Sequence, residues 1–135
     1  MTLSNNTLGL LAARVLLGLL FLVAGLGKLG NVEGFAGFMA SGGVPAILAW
    51  PVILFEILGG LALILGFMTR PVALALAAFC LLSGVLYHFD PADQNQMTQL
   101  FKNMALAGGY IALAITGAGA WSIDGRSKSG VTATA

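Results

Sequence analysis

The sequence predicts an all-α integral membrane protein: a four-helix transmembrane bundle with a short amphipathic interfacial segment between helices 1 and 2. Three observations carry that prediction. The chain is 59% hydrophobic and only 8% charged, with a mean hydropathy of +0.97, whereas soluble domains carry about 25% charged residues. Apolar runs near the length needed to cross a bilayer, about 20 residues, recur along 135 residues with short links between them. Each run also has one stripe of small or polar residues at helical spacing, while its other faces are Leu, Ile, Val, Ala and Phe.

The same composition excludes several classes of function. A net charge of +1 provides no basic patch for nucleic acid. The single cysteine, Cys80, excludes an intramolecular disulfide, a CxxC redox pair and a cysteine-rich metal site. No spacing of metal ligands, phosphate loop or Ser/His/Asp set is present. The N-terminus lacks the basic region and cleavage site of a removable signal peptide, so the apolar run from Leu8 reads as a retained span.

A polar N-terminal segment, residues 1–7, precedes a membrane domain over 8–120 with spans at about 8–29, 46–68, 71–89 and 98–120. In the first span Arg14, Gly18, Phe21, Gly25 and Lys28 form one continuous stripe. Lys28, near its end, is expected to snorkel to the headgroups, and Arg14 to face inward. The stretch GNVEGFAGFMASGGVP (30–45) is too broken by glycine to be a span. Val32, Phe35, Phe38 and Met39 can form the apolar side of an interfacial helix ended by Gly42-Gly43, acting as a membrane-surface strap or as a lid over an opening between helices.

The second span, WPVILFEILGGLALILGFMTR (50–70), is the organising stretch. Its one carboxylate, Glu56, shares a face with Gly59, Gly60 and Leu63. A charge inside a span is costly and needs a partner or a function, and glycines beside it let another helix come close. Thr69-Arg70-Pro71 is a very short link, which makes spans two and three an antiparallel hairpin. In the third span Cys80, Ser83, Gly84, Tyr87 and His88 form a weakly polar stripe. In the fourth, Gln99, Asn103, Leu106 and Tyr110 do, with Lys102 beside them. Trp121 marks the far interface, and residues 121–135 read as a polar, disordered tail.

Arg70, Arg126 and Lys128 fall at one end of such a bundle, with Arg14 nearest that side. The positive-inside rule then places both termini in the cytoplasm. Two constellations follow. Arg14 and Glu56, opposite in charge and at similar depth along their spans, are expected to form a buried ion pair, functional or serving only to fix helix register. Lys28, His88, Gln99, Lys102 and Asn103 gather near the outer face, where cationic donors, amides and a proton-carrying imidazole suit an oxygen-rich headgroup such as that of a quinone or a lipid.

Three stretches carry a family resemblance: RVLLGLLFLVAGLGKL (14–29), FEILGGLALILGFMTRPVALAL (55–76) and FKNMALAGGYIALAITGAGAWSID (101–124). Together they make the chain resemble the DoxX family of small four-span membrane proteins from about Leu8 to Asp124. The resemblance implies a bacterial cytoplasmic (inner) membrane protein. It also implies kinship with the membrane subunit of thiosulfate:quinone oxidoreductase and with relatives tied to oxidative or electrophile stress. Arg14, Lys28, Glu56, Arg70, Lys102 and Asn103 stand where the family pattern has polar residues.

The reading of function that results is a quinone-interacting component of a membrane redox system, working with a redox partner protein. In it Glu56 or His88 handles protons, Arg14 biases Glu56 toward its charged form, and Lys28, Gln99, Lys102 and Asn103 bind the headgroup. The alternatives are a non-catalytic membrane protein that holds a lipid-soluble ligand or a partner, and, more weakly, an oligomeric pathway for a small solute or protons.

Overall fold

Residues 5–127 are described by a computed structural model in which every long regular element is a helix. Helix α1 covers Asn5–Lys28, α2 Val32–Ser41, α3 Ala49–Leu65, α4 Thr69–His88 and α5 Gln94–Thr116. A single 3-10 turn, Ala46–Leu48, leads into α3. Among the described residues there is no β-strand.

Local chemistry sets most of these boundaries. Asn31 caps α2 by accepting from the Gly34 amide at 2.9 Å. Gly66 ends α3 in the left-handed conformation, with the Phe67 amide returning to the Ala62 carbonyl at 2.8 Å, a glycine stop that satisfies otherwise orphaned carbonyls. The link to α4 is therefore Gly66–Met68, three residues earlier than the Thr-Arg-Pro turn read from the sequence; Pro71 sits inside the first turn of α4, where its missing N–H costs nothing. Helix α5 begins at Gln94 rather than near Thr98 because Asp93 caps it, accepting from the Asn95 and Gln96 amides. It stops at Thr116 because Gly117 adopts φ +81°.

The faces buried are those with small and polar residues. On α1 these are Arg14, Gly18, Phe21 and Gly25; on α3 Glu56, Gly59, Gly60 and Leu63; on α4 Cys80 and Gly84. Helices α1 and α3 pack antiparallel and close: a Cβ on Gly18 would fall 2.5 Å from the Gly60 carbonyl oxygen, and one on Gly25 would fall 2.7 Å from Ile57. Helices α4 and α5 form a second antiparallel pair through Gly84, Ala77 and Ala107. The two pairs meet in a core of Phe21, Leu63, Leu76, Tyr110 and Leu113, where the buried Tyr110 hydroxyl donates to the Leu17 carbonyl at 2.7 Å.

The outward faces are strongly apolar. Leu16, Leu58, Leu82, Val85 and Ile115 are 60–71% exposed, an arrangement water would penalise and lipid accepts. Three helical stretches, Asn5–Lys28, Ala46–Leu65 and Thr69–His88, are long and apolar enough to cross a membrane. Helix α5 is as long, but Gln94, Asn95, Gln96, Thr98, Gln99, Lys102 and Asn103 crowd its first half.

At one end, the chain beyond α5 folds back instead of trailing away. Asp124 accepts from the Met68 and Thr69 amides at 3.0 and 2.9 Å, placing a carboxylate on the N-terminus of α4, the end of the helix dipole that favours an anion. It also holds Met68 in its left-handed conformation, φ +47°. Arg70 donates to the Ala114 and Ile115 carbonyls at the C-terminus of α5. The expected disordered tail is thus an ordered clasp as far as residue 127, and residues 128–135, including Lys128, lie outside the described residues.

Candidate functional site

At the opposite end, α1–α3 and α4–α5 leave between them a half-open chamber of about 430 Å³ roofed by α2. All five helices contribute to it. Its wall is mostly hydrocarbon, from Leu20, Phe21, Val52, Phe79 and Leu106, with Phe35, Phe38 and Met39 above and the outward-facing Leu82 at its open margin. Seven side chains bring hydrogen-bonding or acid–base chemistry: Lys28, Glu56, Cys80, Ser83, Tyr87, His88 and Asn103.

The centre of the site is a salt bridge. Lys28 Nζ lies 2.8 and 3.1 Å from the two Glu56 carboxylate oxygens, and the Glu56 side chain is only 5% exposed against 26% for Lys28. The ammonium also reaches the Ala24 carbonyl at 3.4 Å and stands 5.1 Å from the centroid of the Phe35 ring, within cation–π range. Helical side chains lean toward the N-terminus of their own helix, so Lys28 folds back along α1 rather than reaching out to the headgroups as the sequence led us to expect.

This pairing corrects the expected partnership of Arg14 with Glu56. Gly18 faces Gly60 and Ile64, and Gly25 faces Glu56 and Ile57; this register sets Arg14 beside the end of α3, about 12 Å along the helix from Glu56 at about 1.5 Å per residue. Arg14 is fully buried there and donates to the Ile64 and Trp121 carbonyls. A cation at a helix C-terminus is favourably placed, so its role is to tie α3 to the terminal clasp. It does not bias Glu56.

The remaining sequence candidates divide. His88 and Asn103 line the chamber with Lys28 and Glu56; His88 Nδ1 is 2.8 Å from Gln96 Oε1. Gln99 and Lys102 are exposed on the outside of α5 and do not line it. The inward face of α5 runs Leu100, Asn103, Ala107 and Tyr110, so the stripe read from the sequence was one residue off at its start. Tyr87 had a clear signal, an aromatic hydroxyl on the polar stripe of α4, yet its use was not legible. Its hydroxyl donates to the Met39 carbonyl at 2.9 Å, and its ring stacks on Phe38 at 4.7 Å. A Cβ on Gly42 would run into the same ring. Tyr87 thus pins α2 over the chamber. Tyr87→Phe, which keeps the stack and loses the bond, should raise amide hydrogen exchange across residues 38–44 by about five- to tenfold, the size of one neutral hydrogen bond, and leave α4–α5 unchanged.

Among the described residues no group of three or more His, Cys, Asp or Glu side chains could hold a metal ion.

The sequence profile of DoxX matches residues 9–89. The chain belongs to the DoxX family. It is 44% identical over 116 residues to the inner membrane protein YqjF of Escherichia coli, covering 86% of this chain and 89% of that one. It is 34% identical over 125 residues to a second E. coli inner membrane protein, YphA, covering 87% and 89%. A Bacillus subtilis protein named "Putative oxidoreductase CatD" is 36% identical over 70 residues, 52% of each chain. No solved structure matches. Family, apolar exterior and relatives agree on an inner-membrane protein embedded in the lipid bilayer.

Proposed function

We propose that this DoxX-family protein binds the headgroup of a lipid-soluble quinone in the α2-roofed chamber, as the membrane component of a redox system whose electron carriers reside in a partner protein. The observation that carries this reading is the Lys28–Glu56 pair set in an otherwise apolar chamber. Charges inside a membrane protein mark ligand and proton pathways by default. Hydrocarbon walls take a ring and the start of a tail, and a few convergent polar groups fix its orientation. The ammonium can donate to a ring oxygen, the carboxylate can accept from a ring hydroxyl, and His88, half-buried at the chamber's end of α4, is placed to exchange protons with water. The name of the Bacillus relative supports redox work in the family.

The same reading makes α5 the fourth span, with its apolar outer face of Phe101, Met104, Ile111 and Ile115 against lipid. It puts Arg14, Arg70 and Arg126 on the cytoplasmic side with both termini, and the chamber toward the outer leaflet.

One observation favours a second reading, a non-catalytic protein whose buried pair fixes helix register: Lys28 already satisfies both Glu56 oxygens. Binding separates the two. Protein purified in mild detergent from its native membrane and extracted with organic solvent should release quinone in near-stoichiometric amount. Glu56→Gln and Lys28→Met should each lower that amount at least about tenfold, the effect of losing a charged hydrogen bond, whereas Lys102→Ala, outside the chamber, should not. Bulk phospholipid alone in the extract decides for the register-fixing reading.

A further inference from the structure

One strong hydrogen-bonding side chain in the chamber wall is left over. Lys28 and Glu56 hold each other, Ser83 donates to the Cys80 carbonyl, Tyr87 to the Met39 carbonyl, and His88 is bonded to Gln96. Asn103 is half-buried and has no hydrogen-bond partner among the described residues. Its place is made for it by α4: a Cβ on Gly84 would lie 3.2 Å from both Asn103 Cβ and Nδ2. The amide therefore lies in the α4–α5 seam because residue 84 has no side chain. Gly59 faces Leu76, which sets Glu56 level with Phe79 and Cys80, so Gly84 and Asn103 stand about one helical turn nearer the α2 end. A ring lying between α2 and the ion pair has Asn103 at its edge.

We propose that Asn103 is the group that binds the ligand's ring oxygen in both oxidation states, an inference that rests on the quinone reading of the chamber. A quinone oxygen is a carbonyl and only accepts; the corresponding quinol oxygen carries a hydrogen and donates. An ammonium cannot accept, and an ionised carboxylate cannot donate. A carboxamide does both, through Nδ2–H and Oδ1, and changes between them by turning about its terminal torsion, which is broad and roughly two-fold. The Asn103 amide lines the chamber with neither function used, and a ligand oxygen that alternates between acceptor and donor is what it fits. Asn103 is accordingly a specificity residue for the redox couple: it retains the ligand through a change of state that Lys28 or Glu56 alone would favour in one direction.

The test is equilibrium binding of a short-chain benzoquinone and of its quinol to the full-length protein in phospholipid nanodiscs. Wild type is expected to bind the two forms with affinities within about threefold of each other, and Asn103→Leu to weaken both by about tenfold, the loss of one hydrogen bond from a desolvated site. Gly84→Ala keeps the amide and displaces it, and should weaken both forms in the same sense; it is decisive if Asn103→Leu does not fold. Wild-type affinity in both variants, or weakening confined to one form, overturns the inference while leaving the chamber as the quinone site, which Glu56→Gln reports independently. Failure of the wild type to bind either form overturns both together.

Discussion

Lys28→Met is expected to destabilise the protein by about 3–5 kcal/mol, because it strands a carboxylate in an apolar chamber. Glu56→Leu should cost less. Lys28 is the more exposed partner, 26% against 5%, and its flexible stem can swing the ammonium toward the headgroups once the carboxylate is gone. The double variant should be more stable than Lys28→Met alone, since burying two apolar side chains avoids both desolvation terms. Reversible unfolding in mixed micelles, followed by helical circular dichroism, gives the three free energies. A coupling of at least about 1 kcal/mol is expected from a contact of this geometry. Additive losses would mean that the pair does not act as one in the membrane.

That asymmetry bears on function. If the pair is only structural, well-packed apolar residues can replace it with little loss of stability, and the double variant should match the wild type in what it retains on extraction. If the chamber binds a headgroup, the double variant is stable and empty of quinone. Stability and binding are read on the same preparation, and the two roles of the pair come apart in it.

How much of this was legible in the sequence varies with the kind of information needed. Helix faces were legible, since periodicity alone assigns them: the stripe of Arg14, Gly18, Phe21 and Gly25 and that of Glu56, Gly59, Gly60 and Leu63 are the faces buried. The amphipathic segment with Phe35, Phe38 and Met39 is α2, and these residues do face the opening between helices. Pairing between helices was not legible. Arg14 and Glu56 each lie nine residues from a helix end on the same side, Asn5 and Leu65, yet α1 overhangs α3 at that side and the two charges are not level. The register is decided by which glycines meet, a three-dimensional fact. Gln99 and Lys102 were misplaced for a related reason: in a helix with polar residues all round its first two turns, composition cannot say which face turns inward. The terminal clasp was hidden because Asp124 acts on a helix more than fifty residues away.

The glycines that set the register should therefore be the least replaceable residues in the chain, and Gly60→Ala the most damaging single methyl. A Cβ there would fall 2.5 Å from the Gly18 carbonyl oxygen and 2.6 Å from the Leu22 amide nitrogen. Both are backbone atoms of a facing helix, which cannot give way by a rotamer change, and the Leu22 Cα follows at 3.1 Å. Overpacking of a tight seam costs about 1–3 kcal/mol even where side chains can adjust, so a loss above about 3 kcal/mol is expected here. Gly108→Ala is the matched control: it lies within α5, a Cβ on it meets nothing within 4 Å, and removing a helical glycine should be neutral or stabilise by up to about 1 kcal/mol. Because α1 and α3 also carry Lys28 and Glu56, forcing them apart at Gly60 should loosen the ion pair, so Gly60→Ala is expected to lose ligand along with stability. Equal losses of stability at residues 60 and 108 would show instead that helix propensity governs these positions, and that the close α1–α3 seam is not what holds the chamber in shape.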